Sequence, residues 1–364
     1  MDRQDAALAR LIERVMLAQA DGAALDIRGG GTKSFYGGVP KGEPLPVAGL
    51  AGISSYEPTE LVVTVRAGTP LAELEAALEE RGQCLPFEPP RFAPGGTVGG
   101  MVAAGLSGPA RAAVGAVRDH VLGLTLLNGR GEVLSFGGQV AKNVAGYDVS
   151  RLIAGSLGIL GVICEVSLKV LPTHRATATL CFDWEESRAL EQLRMWASRP
   201  LPVNASAWHE GRLHVRLAGA AAAVNAACGK LGGARIDPEA ARTWWKGVRD
   251  QAQDFFSLGA SELSAGHSLW RLSLPATAVP VTLPGRQFIE WHGAQRWWRT
   301  AAAAQEVREA AARSGGHATL IRGARAAGAV FSPVSEPLMR IHRELKRAFD
   351  PAGIFNPGRL YAEL

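Results

Sequence analysis

The stretch GQVAKNVAGYDVSRLIAGSLGILGVICEVSLKVLP, residues 138–172, decides how this chain folds. Gly137 leads into its first residue, Gly138, and a polar loop around Lys142-Asn143 comes next, followed by Ala145-Gly146-Tyr147-Asp148. A short helical run over 150–154 leads into Gly155-Ser156-Leu157-Gly158-Ile159-Leu160-Gly161. The β-branched run over 162–170 reads as a strand, and Pro172 stops it. Glycine carries no Cβ, so Gly155, Gly158 and Gly161 let this loop approach another body closely. Either they ease helix–strand packing, or they let a large planar ligand lie across main chain.

Two further glycine loops lie upstream. Residues 25–27 read as a short strand running into Arg28-Gly29-Gly30-Gly31-Thr32-Lys33-Ser34. Consecutive glycines can turn several N–H groups inward as an anion-binding nest, with Thr32, Lys33 and Ser34 as extra donors. The loop is not a Walker A motif, because Thr32 stands where that motif has glycine. The second loop, Pro94-Gly95-Gly96-Thr97-Val98-Gly99-Gly100, precedes a short helix that Ser107-Gly108-Pro109 breaks. Free N–H groups at such a start can face a phosphate.

Between these loops, 61–66 reads as a strand. A helix starts at Thr69, as N-cap, and Pro70, runs to about Arg81, and ends at Gly82. Residues 121–127 and 132–136 read as a hairpin around Asn128–Gly131. Residues 1–172 therefore alternate strands and short helices, with glycine loops at three junctions. A Rossmann domain would carry G-x-G-x-x-G after its first strand and an acidic residue about 20 further on. Neither is present, which disfavours an NAD-dependent enzyme.

Composition shifts after Pro172. Strand 177–182, helix 185–197, a hairpin over 204–208 and 212–217, and an alanine-rich helix over 220–231 come first. A second set follows: helix 239–256, strands 269–274 and 287–291, helix 300–313 and strand 319–321. This order predicts an α+β chain whose second domain, 173–328, is a ferredoxin-like antiparallel cap. Residues 329–364 form a C-terminal segment returning to the first domain, with rigid turns at Asp350-Pro351 and Asn356-Pro357-Gly358.

The chain has 364 residues, 47% hydrophobic and 20% charged, which suits a soluble two-domain protein. No apolar run approaches the ~18 residues of a membrane span, and the start lacks a signal-peptide core. The net charge of +5 is scattered, without the clustered Lys/Arg and aromatics of nucleic-acid binders. Cys84, Cys164, Cys181 and Cys228 show no C-x-x-C spacing, so neither zinc nor iron–sulfur ligation is expected. Their spread points to a reducing, cytoplasmic compartment.

RGGGTK (28–33), PGGTVGGMVAAGLSGP (94–109), VRDHVLG (117–123), residues 142–172 and FDPAGIFNPGRLY (349–361) together resemble the vanillyl-alcohol-oxidase, or PCMH-type, flavoprotein family. Within it, the likeness is to the FAD-binding E subunits of bacterial glycolate oxidases. LWRLSLP (269–275) and IEWHGAQRWW (289–298) extend the likeness into the cap. The resemblance implies a PCMH-type FAD-binding domain over 1–172 under the cap. It implies FAD diphosphate contacts at Arg28, Gly29, Gly30, Gly31, Thr32, Lys33, Gly96, Thr97, Val98, Gly99 and Gly100. Ser107, Asp119, Gly146, Tyr147, Gly155, Ser156, Leu157, Gly158, Ile159 and Ile163 would border flavin and adenosine, and Asn356 would help fix the tail side. TKSFYGG holds no His or Cys, so the FAD should be noncovalent.

The resemblance also implies partners, a related FAD-binding D subunit and an iron–sulfur subunit, and a cytoplasmic place, peripheral at the inner membrane through them. The histidine-rich metal motif of the D subunits has no counterpart here, and no metal is expected. Two roles remain open. One is oxidation of glycolate or D-lactate to the 2-oxo acid, which needs a cation for the carboxylate and a base for the hydroxyl. Arg271 and Arg296 are candidates for the first; His267, His292 and His317 for the second, with Arg271 and His292 preferred. The other role is a non-catalytic FAD electron relay in the same complex, which the missing metal motif favours.

Overall fold

The computed structural model describes residues 3–138, 147–324 and 330–364. After the helix Arg3–Asp21, β1 (Leu25–Arg28) pairs in parallel with β2 (Glu43–Pro46). Then follow β3 (Ile53–Glu57), β4 (Val62–Arg66), β5 (Gln83–Cys84), β6 (Val121–Leu127), β7 (Val133–Gly137), β8 (Val162–Lys169) and β9 (Leu171–Pro172). Among the described residues, a five-stranded antiparallel sheet runs β3-β4-β8-β6-β7.

β8, the strand of the opening stretch, is the middle one. Its near-continuous apolar run fits a strand covered on both faces. On one face it joins Val63, Val65 and Leu124 in the main core of this domain, where the helix Leu71–Glu79 adds Leu71, Leu74 and Leu78. On the other face Val162 and Cys164 meet Leu11, Val15 and Phe355. One expectation is corrected here. Thr69 does not cap the helix; the N-cap is Pro70. The Thr69 hydroxyl instead accepts from the Gly52 N–H and donates to the Arg66 carbonyl, closing the turn after β4.

The cap strands are β10 (Ala176–Asp183), β11 (Val203–His209), β12 (Arg212–Gly219), β13 (Ala234–Arg235), β14 (Ser268–Ser273), β15 (Arg286–Glu290), β16 (Gln295–Thr300) and β17 (His317–Arg322). They form an eight-stranded sheet ordered β13-β10-β12-β11-β15-β16-β14-β17. In each half the fourth strand lies beside the first, then come the third and the second. That is the ferredoxin-like order twice, with the halves joined edge to edge through β11 and β15. Joining the edges leaves fewer exposed strands open to foreign pairing.

The strand β16 escapes the sequence reading. Its QRWWRT lacks period-2 alternation because both faces are covered. Trp297 packs among residues facing the first domain and Trp298 under the helix Ala304–Arg313. Arg296, just before them, is fully buried and donates to the carbonyls of Ala278, Val279 and Gly293. It holds the 275–285 loop that stands where the first half has a helix. Those bonds take it out of the substrate role proposed for it.

An apolar cluster joins the domains. Tyr36, Ala104, Leu106 and Leu157 from the first meet Phe255, Phe256, Phe288 and Trp297 from the cap. The tail closes the circuit. The helix Glu336–Phe349 presents Lys346, whose buried ammonium donates to the carbonyls of Ile159 and Phe355 and pairs with Asp350 at 2.7 Å. Asp350 in turn accepts from the N–H groups of Ile354 and Phe355, so this buried pair is fully bonded.

Candidate functional site

The three glycine loops converge. One cavity of about 90 Å³ is lined by 26–34, Thr97, Gly100, Ala103, Leu157, Asn356 and Arg359. A second, of about 60 Å³, adds Val47, Ala67, Gly99, Gly158, Gly161 and Ile163, and shares Gly29, Gly100, Ala103, Leu157 and Asn356 with the first. The expected residues Arg28 to Lys33, Thr97, Gly99, Gly100, Leu157, Gly158, Ile163 and Asn356 are thus brought to one continuous cleft.

The glycines in it have two separate duties. A Cβ on Gly30 would fall 1.6 Å from the Gly95 carbonyl oxygen, and one on Gly29 would fall 2.2 Å from Thr97 Oγ1. A Cβ on Gly99 would come within 2.6 Å of the Ala67 Cβ. These three are glycine so that protein can meet protein. The third loop behaves alike: Cβ atoms on Gly158 and Gly161 would strike Asn356 Nδ2 and the Leu127 carbonyl, each at 2.7 Å. The packing alternative for those two positions therefore holds. Gly31, Gly95 and Gly96 differ, since their Cβ positions open on space, with nothing nearer than 3.4 Å.

Into that space reaches Lys33. It is half-buried, touches the Thr32 hydroxyl at 3.4 Å, and has no carboxylate within ion-pair distance among the described residues. Burial lowers its ammonium to about 8. A cation set in glycine backbone without a counter-ion fits a diphosphate. The cradle thus fits FAD at its most highly charged group.

The walls are held by the tail. Asn356 sits at φ +43°, accepts from the Ile27 N–H at 2.8 Å and donates to the Leu157 carbonyl at 2.7 Å. It ties the strand before the first loop to the third loop. Arg359 donates to the carbonyls of Ser34, Tyr36 and Gly38, fixing the first loop from behind. Sequence reasoning missed Arg359, although it stands in the quoted tail motif. The third loop also docks on the helix Val98–Ala104, with Gly155 N–H on the Val102 carbonyl and Leu157 N–H on that of Ala103.

The other expected positions lie elsewhere. Val98 and Ile159 are buried in the core. The Ser156 hydroxyl accepts from the Gly158 N–H at 3.4 Å within the third loop. Asp119 accepts from the Ala116 N–H, capping its own short helix, and Tyr147 is fully exposed. Gly146 lies outside the described residues.

Ser107 belongs to a third cavity, of about 20 Å³, at the junction of the domains. Leu106, Gly108 and Pro90 line it from the first domain; Val248, Arg249, Gln251, Arg271, Glu290, Gln295 and Trp297 from the cap. Arg271 lies 5.7 Å over the Tyr36 ring and donates to its hydroxyl at 3.2 Å, while its Nε is buried without a partner. His292 is turned away. Its backbone N–H donates to the Ser206 hydroxyl, its Nδ1 lies 2.9 Å from that oxygen, and burial lowers its imidazole.

The fold and the cleft define a PCMH-type FAD-linked oxidoreductase. An FAD binding domain family matches residues 7–137, and the FAD linked oxidases, C-terminal domain family matches 293–360. The glycolate oxidase subunit GlcE of Escherichia coli is 45% identical over 97% of both chains. On that full-length likeness, the chain belongs to the family of FAD-binding glycolate oxidase E subunits. The glycolate oxidase subunit GlcD of Bacillus subtilis is 32% identical over 45% of this chain and 35% of its own. A D-lactate dehydrogenase of Anaerostipes hadrus is 33% identical over 43% of this chain and 32% of its own. The match spans about a third of those two relatives. An alkyldihydroxyacetonephosphate synthase structure superposes on 96% of this chain and 75% of its own with a TM-score of 0.64, at 15% identity, a likeness of fold.

Proposed function

We propose that this chain is the FAD-carrying E-type subunit of a glycolate oxidase, oxidising glycolate or D-lactate to the 2-oxo acid. The observation that carries the reading is likeness at 45% identity through cap and FAD domain alike, beside a cradle that suits a diphosphate. FAD bound there supplies the two-electron acceptor; the chain supplies position and charge. Thr32, Lys33 and the open faces of Gly31, Gly95 and Gly96 hold the diphosphate. Without His or Cys in TKSFYGG, the flavin is noncovalent. The partly unpaired Arg271 supports a carboxylate-binding role at the domain junction.

Electrons leave through partners, a D-type flavoprotein subunit and an iron–sulfur subunit. Among the described residues no helix is long and apolar enough to cross a membrane and no cluster of metal ligands is present. The chain itself therefore offers no visible route to a membrane acceptor, and we place it in the cytoplasm, held at the inner membrane by those partners. The test is anaerobic mixing of the FAD-loaded chain, alone and co-purified with both partners, with glycolate or D-lactate. Flavin bleaching is expected, complete within turnover time in the assembled complex. Bleaching by neither acid in either preparation removes the reading. Bleaching only in the complex favours the electron-relay role.

A further inference from the structure

The register of the cap sheet selects one set of side chains for the junction. Residues paired across neighbouring strands share a face, as do residues two apart. Arg271 pairs with Trp297, Trp297 with Phe288, and Glu290 with Gln295. So Arg271, Phe288, Glu290, Gln295 and Trp297 all point toward the FAD domain, and Arg296 points the other way. Glu290 is 3% exposed, and its Oε2 accepts from both Gln295 Nε2 and Trp297 Nε1. Its Oε1 takes no hydrogen bond among the described residues, although the residue lines the cavity. Arg271 lines the same cavity, forms no ion pair with Glu290 or any other carboxylate among the described residues, and keeps Nε unbonded among them. A buried acid and a half-buried cation lining one small cavity normally pair; here they do not.

We infer that the gap between Ser107, Arg271 and Glu290 seats a small 2-hydroxy acid, Arg271 holding its carboxylate and Glu290 taking its hydroxyl proton. This rests on the glycolate reading above. Glu290 would take the O–H proton, and FAD, when bound, would supply the two-electron acceptor for the hydride that Cα gives up. The C–O bond becomes C=O and the 2-oxo acid departs. At about 20 Å³ the gap holds one or two waters, so even glycolate enters only if the junction side chains part, and a larger side chain asks for more.

The charges support both roles. Burial, and then the Arg271 charge, lower both Arg111 and His317, so Arg271 has the Arg111 cation near it and a neutral His317, a setting that favours an anionic guest. Burial raises Glu290 to about 7, with Glu88 adding to the rise and the bonds from Trp297 and Gln295 opposing it. Glu88 is itself paired with Arg216 at 2.7 Å, and Arg249 is paired bidentately with Asp250, so those neighbours are internally balanced. A proton acceptor near neutrality is what the step requires.

One group then drives two opposite pH profiles. Oxalate, a small dianion that cannot be oxidised here, should bind the FAD-loaded chain while Glu290 is neutral. Its affinity should fall about tenfold per pH unit above 7 as Glu290 ionises. Bleaching by glycolate should rise through the same pH. Glu290→Gln can still accept from Trp297 and Gln295 and should keep its flavin content and melting temperature. It should bind oxalate with a flat profile and bleach about 100-fold more slowly. Tryptophan fluorescence and flavin absorbance read both. A flat oxalate profile in the unmodified chain overturns the inference, whatever the turnover. Glycolate bleaching at an unchanged rate in Glu290→Gln overturns Glu290 and leaves the glycolate reading standing. No bleaching by any 2-hydroxy acid, with oxalate binding still lost above pH 7, keeps the seat and removes the proton transfer.

Discussion

The diphosphate cradle and the junction cavity are built by opposite means. The cradle is made mostly of backbone. Its residues come mostly as short runs, around 26–34, 97–100 and 157–161, and its Lys33 has no carboxylate within ion-pair distance among the described residues. The junction is made of side chains from β14, β15, β16, one helix and two loops, and it sets an arginine against a carboxyl. Holding a cofactor is thus written locally in the chain, and handling a substrate is written through sheet register. The two should respond separately to substitution.

The largest effect should come from the glycines that join the cradle's walls. Gly30→Val drives a side chain into the Gly95 carbonyl, a backbone contact that no rotamer relieves. We expect no retained flavin and a loss of about 3 kcal/mol or more in stability, read by flavin content after desalting and by thermal melting. Gly96→Ala places its Cβ 3.4 Å from Thr32 Oγ1 and 3.8 Å from Lys33 Nζ, on the open side. It should melt like the parent and bind FAD more weakly. If Gly30→Val kept full flavin, the distinction between packing and ligand-facing glycines would collapse.

That distinction also marks what could be read before folding. The glycine loops, the central strand β8 and the first half of the cap were legible, because turn residues and β-branched runs are local signals. The duty of each glycine was not, since Gly30 and Gly96 look alike until the second loop is laid against the first. The strand β16 was hidden because burial on both faces erases alternation. With it went the register that separates Arg271 from Arg296 and brings Glu290 forward. Glu290 stands two residues before His292 in the same quoted run, and period-2 counting along β15 from Phe288 puts it on the junction face.

At the junction, Arg271→Met should leave flavin content unchanged and raise the glycolate KM about 100-fold. That is the loss of a charge-assisted contact of some 2–3 kcal/mol. Flavin loss in this variant would show the two regions to be one. Asn356→Ala probes the tie instead. It removes two buried hydrogen bonds and a residue tolerant of φ +43°. A cost of about 2 kcal/mol is expected, with FAD retention and melting temperature falling together. Retention falling alone would make Asn356 a direct ligand contact.

The smallest effect is a matter of pH and belongs to the cradle alone. Burial holds Lys33 at about 8, below the 10.5 of a solvated lysine. Between those values the unfolded chain binds a proton that the folded, FAD-free chain does not. Stability of the FAD-free chain therefore rises with pH across that window. FAD affinity must run the other way, because a diphosphate needs the charged ammonium. Below pH 8 the cation is present and binding is full; above it, affinity should fall by up to about tenfold per pH unit until the liganded lysine also titrates. Fluorescence titration with FAD from pH 7 to 9.5 reads this directly. Lys33→Arg, which keeps its charge, should be flat near the low-pH affinity, and Lys33→Met flat near the high-pH one. A flat profile in the unmodified chain would mean that Lys33 does not face the diphosphate. The cradle's positive charge would then have to come from Arg28, Arg359 and the backbone N–H groups.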